Sequence, residues 1–308
     1  MKKIYSVIKK IKNQNRKIFV IGELIFDYNF FIKNIGKSLE KNISKFEIHK
    51  ELFELGGAGK IYFALKKIIG KNAYFISAIN KKKIIKKFDK NIYFYNHNLN
   101  NIIKNRYWKN NKKIFQINQD NKKIFYFNEQ FNRFTVNIIR KNLKKISAII
   151  IGDYKHGLIN KKLISILVKI CKDNNIKIYL DAQIRSLNHV DHRYSNLDFL
   201  VFNIRELNLY KKKFNISGSE KKSLLQIKNK LNLGAVVLKK GSKGSSILND
   251  NFDYYHSKAF KGKKIIDVVG AGDYFIAMLA SLNNNYCHKD ILKFSNYWAF
   301  KKISSKKI

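Results

Sequence analysis

Residues 147–182 read SAIIIGDYKHGLINKKLISILVKICKDNNIKIYLDA. The segments SAIIIGDY and IKIYLDA at the two ends are apolar runs of strand length, and from Asn160 onward apolar side chains recur at the spacing of a helix. A strand, a helix and a second strand of these lengths form a unit in which the strands run parallel and the helix covers one face. The stretch therefore predicts a parallel sheet with helical cover.

The same alternation continues on both sides of this stretch. Further strands are predicted at 17–24, 73–79, 198–203, 234–241 and 245–249. Further helices are predicted around 4–11, at 59–69, in the stretch ending near 231 and, as a closing pair, after 270. Together they predict one α/β domain over residues 1–308, a three-layer sandwich with a central, mostly parallel sheet.

A different pattern separates the two halves of the chain. The segments NIYFYN, KIFQIN and KIFYFN, between about residues 92 and 128, are short, rich in β-formers and divided by Asn and Lys turns. With a second insertion they predict a small antiparallel sheet, built from about residues 28–55 and 92–130. We expect this sheet to act as a lid that closes over a substrate and excludes water. Its strand edges favour a homodimer formed through the lid.

The charge of the chain raises the question of a nucleic-acid partner. The formal net charge is +42 and the isoelectric point is about 10.1, which by itself favours a polyanion. Only seven of the 63 basic residues are Arg, Pro is absent, and the lysines run from Lys2 to Lys307 without one dominant block. A nucleic-acid footprint is clustered, whereas this composition is what AT-rich coding produces. Nucleic acid is therefore not the expected partner, and remains a rival on charge alone.

Compartment signals are few. Cys171 and Cys287 are too few for a disulfide framework, which indicates a reducing compartment. The start of the chain lacks the apolar stretch of a signal peptide, and no run of about 18 apolar residues occurs. We expect a soluble, cytoplasmic protein with no membrane partner.

The strongest chemical motif is DVVGAGD, residues 267–273, followed at once by the apolar helix YFIAMLASL. Small residues at a helix start let main-chain N–H groups converge on an anion, and the helix dipole adds to the attraction. Asp273 would then lie beside a bound phosphate and accept a proton from an attacking hydroxyl. The alternative is that Asp273 only caps the helix and the glycines only serve the turn.

Two other phosphate-binding motifs are excluded by spacing. GAGDYF has Phe275 where the dinucleotide-binding motif needs its third glycine. GGAGK at 56–60 has Ile61 where a P-loop needs Ser or Thr for magnesium, and Glu54 where it needs glycine.

Polar residues follow several of the predicted strands. Asp27, Asp153, Asp181 and Asn203 all fall at strand carboxyl ends, the edge at which open α/β sheets bind ligands. His156 follows one of these strands too, but a lone His there is more simply a loop residue.

The GAGD motif, combined with Gly56 and Gly57 after the first strand, resembles the ribokinase, or phosphofructokinase-B, family of sugar kinases over about residues 17–300. The resemblance implies ATP and Mg²⁺ as cofactors, a sugar or sugar phosphate as acceptor, and Asp273 as catalytic base. It implies further roles for three sets of residues: Gly270, Ala271 and Gly272 on the transferred phosphate; Asp27, Gly56, Gly57, Lys60, Arg106 and Asp153 on the substrate; and Asn203, Glu206, Lys240, Gly241 and Gly244 on the nucleotide, with Asn203 and Glu206 organising Mg²⁺ through water.

Within this family the segments GELIFDY, KNRYWKNNKKIFQIN and GDYKHG look most like the heptose-7-phosphate kinase branch that begins ADP-heptose synthesis. Lys104 and Arg106 are then candidate partners for the substrate phosphate, because a guanidinium binds phosphate through two hydrogen bonds. The alternative is that both belong to an exposed lid strand in a Lys-rich chain. Asp267 is a candidate for the anion-binding turn or a monovalent cation, or a turn residue only.

Three features depart from the family pattern. Lys60 stands where relatives have an Asn that holds sugar hydroxyls, and Phe202 stands where a Pro precedes the Asn203 motif. The chain also ends before the segment that completes the nucleotide pocket in relatives. A non-catalytic, kinase-like protein is therefore the second alternative to a sugar kinase.

Overall fold

The computed structural model describes residues 2–40, 43–83, 88–110, 112–119, 127–262, 265, 268–282 and 286–304. The strands are β1 (Lys17–Gly22), β2 (Leu24–Lys37), β3 (Ser44–Gly57), β4 (Ala73–Ile79), β5 (Ile92–Asn96), β6 (Ile102–Lys109), β7 (Lys112–Gln119), β8 (Ile146–Asp153), β9 (Lys177–Ala182), β10 (Phe199–Asn203), β11 (Ala235–Lys239), β12 (Ser245–Leu248) and β13 (Tyr254–Ser257). The helices are α1 (Lys2–Lys12), α2 (Ala58–Ile69), α3 (Asn128–Asn142), α4 (Lys161–Asp173), α5 (Ile204–Phe214), α6 (Glu220–Lys230), α7 (Ala271–Leu282) and α8 (His288–Ser304).

The main sheet confirms the predicted fold class. In the described part of the chain it has nine strands in the order β13-β12-β11-β10-β9-β8-β1-β4-β5. Neighbours from β11 to β5 are parallel, whereas β12 and β13 add an antiparallel edge. The predicted strands at 73–79, 198–203 and 234–241 are β4, β10 and β11 within one or two residues, because their apolar runs are buried on both faces.

Helices cover both faces of this sheet. The central strand β1 shows why, since Phe19 and Ile21 point into one core and Ile18 and Val20 into the other. Side chains of α3 to α6 complete the first core, and those of α1, α2, α7 and α8 complete the second. All four β1 side chains are at most 3% exposed, so truncating one to Ala would cost ~2–5 kcal/mol. The sandwich thus has the three predicted layers.

A separate small sheet stands beside the main one, as predicted. Of the residues the structure describes, four strands form it, in the order β3-β2-β6-β7. The β2–β3 and β6–β7 pairs are antiparallel, whereas β2 and β6 run parallel. The predicted strand at 17–24 is divided at Glu23: its first part is β1, and the chain resumes at Leu24 as β2 of the small sheet.

One assignment to the small sheet was wrong. NIYFYN forms β5, which pairs in parallel with β4 at the edge of the main sheet. Its Tyr95 stacks on Phe127 and packs against the first core, so core packing, which a strand pattern does not encode, selects the partner. KIFYFN lies largely outside the described residues, and the chain continues as α3 from Asn128. No described helix combines the length and apolarity needed to cross a bilayer.

Candidate active site

Two adjoining cavities open where the carboxyl ends of the main strands face the small sheet. The central cavity has a volume of about 470 Å³ and the outer cavity about 770 Å³. Lys60, Arg106, Val269 and Gly270 line both. The central cavity also contains predicted site residues from many parts of the chain, namely Asp27, Gly57, Lys104, Asp181, Asn203, Glu206, Gly272 and Asp273.

Asp273 lies in the first turn of α7, half-buried, with its carboxylate at the central cavity. The Tyr154 hydroxyl donates a hydrogen bond of 2.8 Å to its Oδ1. Burial, reinforced by the carboxylate of Asp181, raises the pKa of Asp273 to about 6, although the Tyr154 bond and nearby lysines oppose the shift. A carboxylate with this pKa is ionised at neutral pH yet basic enough to accept a proton from an alcohol during reaction.

The turn before α7 carries the glycines of the motif. Gly270 has φ of +86°, a conformation that favours glycine. A Cβ on Gly272 would lie 3.2 Å from Lys239 Nζ, so a side chain there would push on that ammonium. Gly270 and Gly272 line the central cavity, whereas Ala271 is the first residue of α7 and does not appear in its lining.

A buried carboxyl group that sequence reasoning missed fixes the loop carrying Tyr154. Glu23 accepts hydrogen bonds from the main-chain N–H groups of Tyr154 at 2.8 Å, Leu158 at 3.2 Å and His156 at 3.3 Å. Burial, followed by the nearby carboxylate of Asp153, raises the pKa of Glu23 to about 8. The signal in the sequence is a Glu interrupting the apolar run IFVIGELIF, where a buried acid needs partners. His156 contributes its main chain here, consistent with a loop role.

On the small-sheet side, two cations contact the buried carboxylate of Asp27. Arg106 Nη1 lies 2.8 Å from Oδ1 and Lys60 Nζ lies 3.1 Å from Oδ2. Lys60 also lies 3.7 Å from Glu54, which is more exposed. Arg106 reaches Asp27 from the neighbouring strand β6, two residues beyond Lys104, which is directly opposite Asp27. Lys60 reaches Asp27 from the start of α2. We call Asp27, Lys60 and Arg106 the lid-side cluster.

Gly56 and Gly57 precede α2, and a side chain at either position would clash with its neighbours. A Cβ on Gly56 would lie 2.4 Å from Asp27 Oδ2, and a Cβ on Gly57 would lie 2.4 Å from the Glu23 carbonyl oxygen. Gly57 also has φ of +58°. The pair therefore lets β3 pass close to Asp27 and leaves its carboxylate facing the cavity.

On the main-sheet side, Asn203 and Glu206 form a reciprocal cap at the start of α5. The Glu206 carboxylate accepts from Asn203 N at 2.8 Å, and Asn203 Oδ1 accepts from Glu206 N at 3.0 Å. Burial raises the pKa of Glu206 to about 7, with Lys239 opposing and Asp181 adding to the shift. The Asn-x-x-Glu motif thus has a structural role while both side chains line the central cavity.

Beside this cap, Lys239 Nζ donates to Asp181 Oδ2 at 2.8 Å and Oδ1 at 3.0 Å. We call Asp181, Glu206 and Lys239 the sheet-side cluster. Among the described residues, no group of three or more His, Cys, Asp or Glu side chains could hold a metal ion directly. Both carboxylate oxygens of Asp181 accept hydrogen bonds from Lys239, so Asp181 does not offer a free ligand. The sheet-side cluster therefore fits a magnesium ion held mainly by phosphates and water, as Mg²⁺ commonly is.

Six predicted site residues that the structure describes do not line either cavity, namely Gly56, Asp153, Lys240, Gly241, Gly244 and Ala271. Asp153 Oδ2 accepts from the Tyr194 hydroxyl at 2.5 Å, because alternation along the strand end directs the next residue, Tyr154, to the cavity instead. Lys240 is paired with Glu220 at 3.1 Å, whereas its neighbour Lys239 enters the cavity. Gly241 and Gly244 shape the β11–β12 turn. Asp267 lies outside the described residues.

A family model described as pfkB family carbohydrate kinase matches residues 15–307. The chain belongs to this family. The predicted resemblance is thereby confirmed, and this pfkB kinase is a phosphotransferase of the class that acts on sugar hydroxyls.

Curated relatives of the kinase include two proteins named bifunctional protein HldE. That of Sulfurimonas denitrificans is 24% identical, with 94% of this chain and 61% of the relative covered. That of Campylobacter concisus is 30% identical, with 91% of this chain and 59% of the relative covered. The kinase therefore spans about three fifths of the length of these relatives.

Solved structures share the fold of the pfkB kinase. The Arabidopsis thaliana ribokinase complexed with ribose and ATP has a TM-score of 0.67 at 14% identity, covering 95% of this chain and 94% of that one. The ribokinase of Thermotoga maritima has a TM-score of 0.67 at 16% identity, covering 94% of this chain and 93% of that one. The ribokinase-like architecture predicted from the sequence is thus confirmed.

Proposed function

We propose that this kinase transfers the γ-phosphate of ATP to a hydroxyl group of a sugar phosphate, with heptose 7-phosphate as acceptor and O1 as the phosphorylated position. The observation that carries the proposal is the place of Asp273. Its carboxylate shares one cavity with the lid-side cluster and the sheet-side cluster. A base there is within reach of an acceptor on one side and a nucleotide on the other.

The transfer follows from this arrangement. The acceptor oxygen bonds to the γ-phosphorus while Asp273 takes the hydroxyl proton. The bond from that phosphorus to the oxygen bridging the β- and γ-phosphates breaks, and ADP leaves. Main-chain N–H groups of Gly270 to Gly272, at the positive start of α7, stabilise charge on the transferred group. The Tyr154 bond to Oδ1 leaves Oδ2 of Asp273 for the acceptor.

The charge and size of the acceptor side support a phosphorylated sugar. Two cations contact the single buried carboxylate of Asp27, so the lid-side cluster carries an excess of positive charge. Lys60, which replaces the amide of relatives, suits an anionic acceptor better than a neutral one. The adjoining outer cavity adds the lysines Lys66, Lys67, Lys113 and Lys302. Its volume of about 770 Å³ suits a long sugar phosphate better than a pentose.

The opposite side supports a nucleotide accompanied by magnesium. Asp181, Glu206 and Asp273 bring three carboxyl groups to the central cavity. Asn203 and Glu206 would hold Mg²⁺ through water. The ion, when bound, neutralises phosphate charge.

The proposal is tested by a panel of acceptors assayed with Mg-ATP and scored by ADP release. The panel contains heptose 7-phosphate, heptose, fructose 6-phosphate and ribose, and Asp273→Asn serves as the inactive control. We expect the highest kcat/KM for heptose 7-phosphate. Faster transfer to ribose would refute the acceptor assignment. ATP binding without ADP release with any acceptor would favour the non-catalytic alternative, and salt-sensitive duplex binding without transfer would favour the nucleic-acid alternative.

For the small sheet we propose the role of a lid and of a dimer contact. Large apolar side chains of its strands β3 and β7 are exposed, including Phe46, Ile48, Ile114 and Ile117 at 41–52%. Exposed apolar groups of this density favour association. Light scattering is expected to give twice the monomer mass, and Ile48→Lys combined with Ile117→Lys is expected to give the monomer. A wild-type monomer at micromolar concentration would contradict this role.

A further inference from the structure

Lys239 lies at the carboxyl end of β11, directly opposite Asn203 on β10. Its ammonium lines the central cavity together with Asp273 and Gly272. The side chain is 17% exposed, so it is mostly enclosed by protein while its end reaches the cavity.

The contacts of the ammonium leave room for a ligand. Lys239 Nζ donates to both oxygens of Asp181, at 2.8 and 3.0 Å, and lies 3.2 Å from where a Cβ of Gly272 would be. It is therefore held between the end of β9 and the first turn of α7. An ammonium group has three N–H donors, so the pair with Asp181 leaves a donor for a group entering the cavity.

The electrostatic surroundings keep this group charged. Burial alone would lower the pKa of Lys239, but the carboxylates around it, led by Asp181, raise it above its ordinary value. Without this cation, three carboxyl groups would face an incoming triphosphate and repel it. With it, one positive charge stands beside the base and the helix start.

We propose that Lys239 binds an oxygen of the nucleotide's terminal phosphate and holds that phosphate against the start of α7, next to Asp273. This rests on the proposed function and deepens it, because it assigns the phosphate-binding cation of the nucleotide side. The ammonium stays protonated throughout and acts as a point charge with one directed donor. Asp181 holds it in place, and the acceptor side of the cavity is not involved.

The test is the binding of an ATP analogue with an imido bridge between the β- and γ-phosphates, compared with ADP, both with Mg²⁺, by titration calorimetry on the full chain. We expect Lys239→Met to weaken the analogue by about 10- to 100-fold and ADP by less than about threefold, as for loss of one charge-assisted hydrogen bond. Equal weakening of both nucleotides, or no weakening of the analogue, would overturn the proposal.

A matched control is available on β9, the strand that carries Asp181. Lys177 begins β9 and pairs with Asp198 at 2.9 Å, so Lys177→Met removes a Lys–Asp pair at the opposite edge of the sheet. We expect it to leave binding of both nucleotides unchanged, and an equal effect of the two variants would overturn the proposal. Lys239→Gln, checked by circular dichroism, replaces Lys239→Met if the latter does not fold, with the same expected loss of analogue binding.

The readout separates this inference from the proposed function. If the wild-type chain transfers phosphate and Lys239→Met binds the analogue normally, the role of Lys239 is refuted and the function stands. If the wild-type chain transfers no phosphate but Lys239→Met loses analogue affinity, the function is refuted and the phosphate contact stands.

Discussion

The two flanks of Asp273 are built from the same kinds of residues in opposite proportions. The lid-side cluster places two cations, Lys60 and Arg106, on one carboxylate. The sheet-side cluster places one cation, Lys239, near two carboxyl groups. The first therefore carries excess positive charge, and the second carries excess negative charge when Glu206 is ionised. An anionic acceptor matches the first, and a nucleotide that arrives with a divalent cation matches the second.

The flanks also come from different parts of the fold. Asp27 and Arg106 belong to the small sheet, whereas Asp181, Glu206 and Lys239 stand on strand ends and a helix start of the main sheet. The proposed closure of the small sheet would move the acceptor toward a nucleotide held on the main sheet. Charge balance, and not residue type alone, distinguishes the two sides.

The largest effect is expected at Asp273, which lies between the two clusters. Asp273→Asn keeps the shape of the side chain but removes the base, so we expect kcat to fall by about 10²- to 10⁴-fold. Titration calorimetry should find both ligands bound within about threefold of wild-type affinity, since the charge-bearing contacts of each flank remain. A kcat within tenfold of wild type would remove Asp273 from the mechanism and leave the two flanks unconnected.

A smaller effect, confined to one ligand, is expected on the lid side. Asp27→Asn removes the carboxylate that holds Lys60 and Arg106 in place and that would accept hydrogen bonds from sugar hydroxyls, so we expect the KM for the sugar phosphate to rise by about 10- to 100-fold. The KM for ATP should change by less than about threefold, as steady-state kinetics with each substrate varied in turn will show. If the KM for ATP rises as much, the flanks are not separate.

The pH profile of kcat tests the base itself. With the pKa of Asp273 at about 6, activity should rise as pH increases through 6, because the ionised form accepts the proton. The Tyr154 hydrogen bond lowers that pKa, so Tyr154→Phe should move the rising part of the pH profile to higher pH. Relative to wild type, the activity of Tyr154→Phe should be reduced most near pH 6 and least above pH 8. If the rising part of the profile stays in place or moves to lower pH, Tyr154 does not lower the pKa of Asp273.

The smallest effect is expected at Lys240, and it distinguishes this lysine from its neighbour Lys239. Lys240 is paired with Glu220 away from the cavity, so Lys240→Met should change the KM for ATP by less than about threefold, within the range of a partly exposed pair. The same kinetics on Lys239→Met should show the larger rise. A larger effect at Lys240 would restore the assignment suggested by the sequence.

The framework was predictable because its signals are long and periodic. The apolar runs of β4, β8, β9 and β11 and the helical spacing of α4 follow from burial, which acts on many residues at once. β5 was misassigned because a short strand pattern states that a strand forms but not which neighbour it joins.

The site was predictable only to within one residue. The sequence marked Asp153 and Lys240, but their neighbours Tyr154 and Lys239 face the cavity. Adjacent residues at a strand end point in opposite directions, and the direction depends on where pairing stops, which no local pattern fixes. Asp181 was located correctly in space because carboxyl ends of parallel strands converge on one edge. Asp27 was expected at such an end, but it lies within β2 and reaches the cavity from the small sheet. Asp273 reaches the cavity from the first turn of α7, the helix start that the GAGD motif predicts.

The central claim is that the acceptor and the nucleotide bind on separate flanks of Asp273, and calorimetry on two variants tests it most directly. Heptose 7-phosphate and the imido analogue of ATP are each titrated into Arg106→Leu and Lys239→Met. The account predicts that Arg106→Leu weakens only the sugar phosphate and Lys239→Met weakens only the analogue, each by about 10-fold or more. If both variants lose affinity for the same ligand, the claim of separate flanks is contradicted.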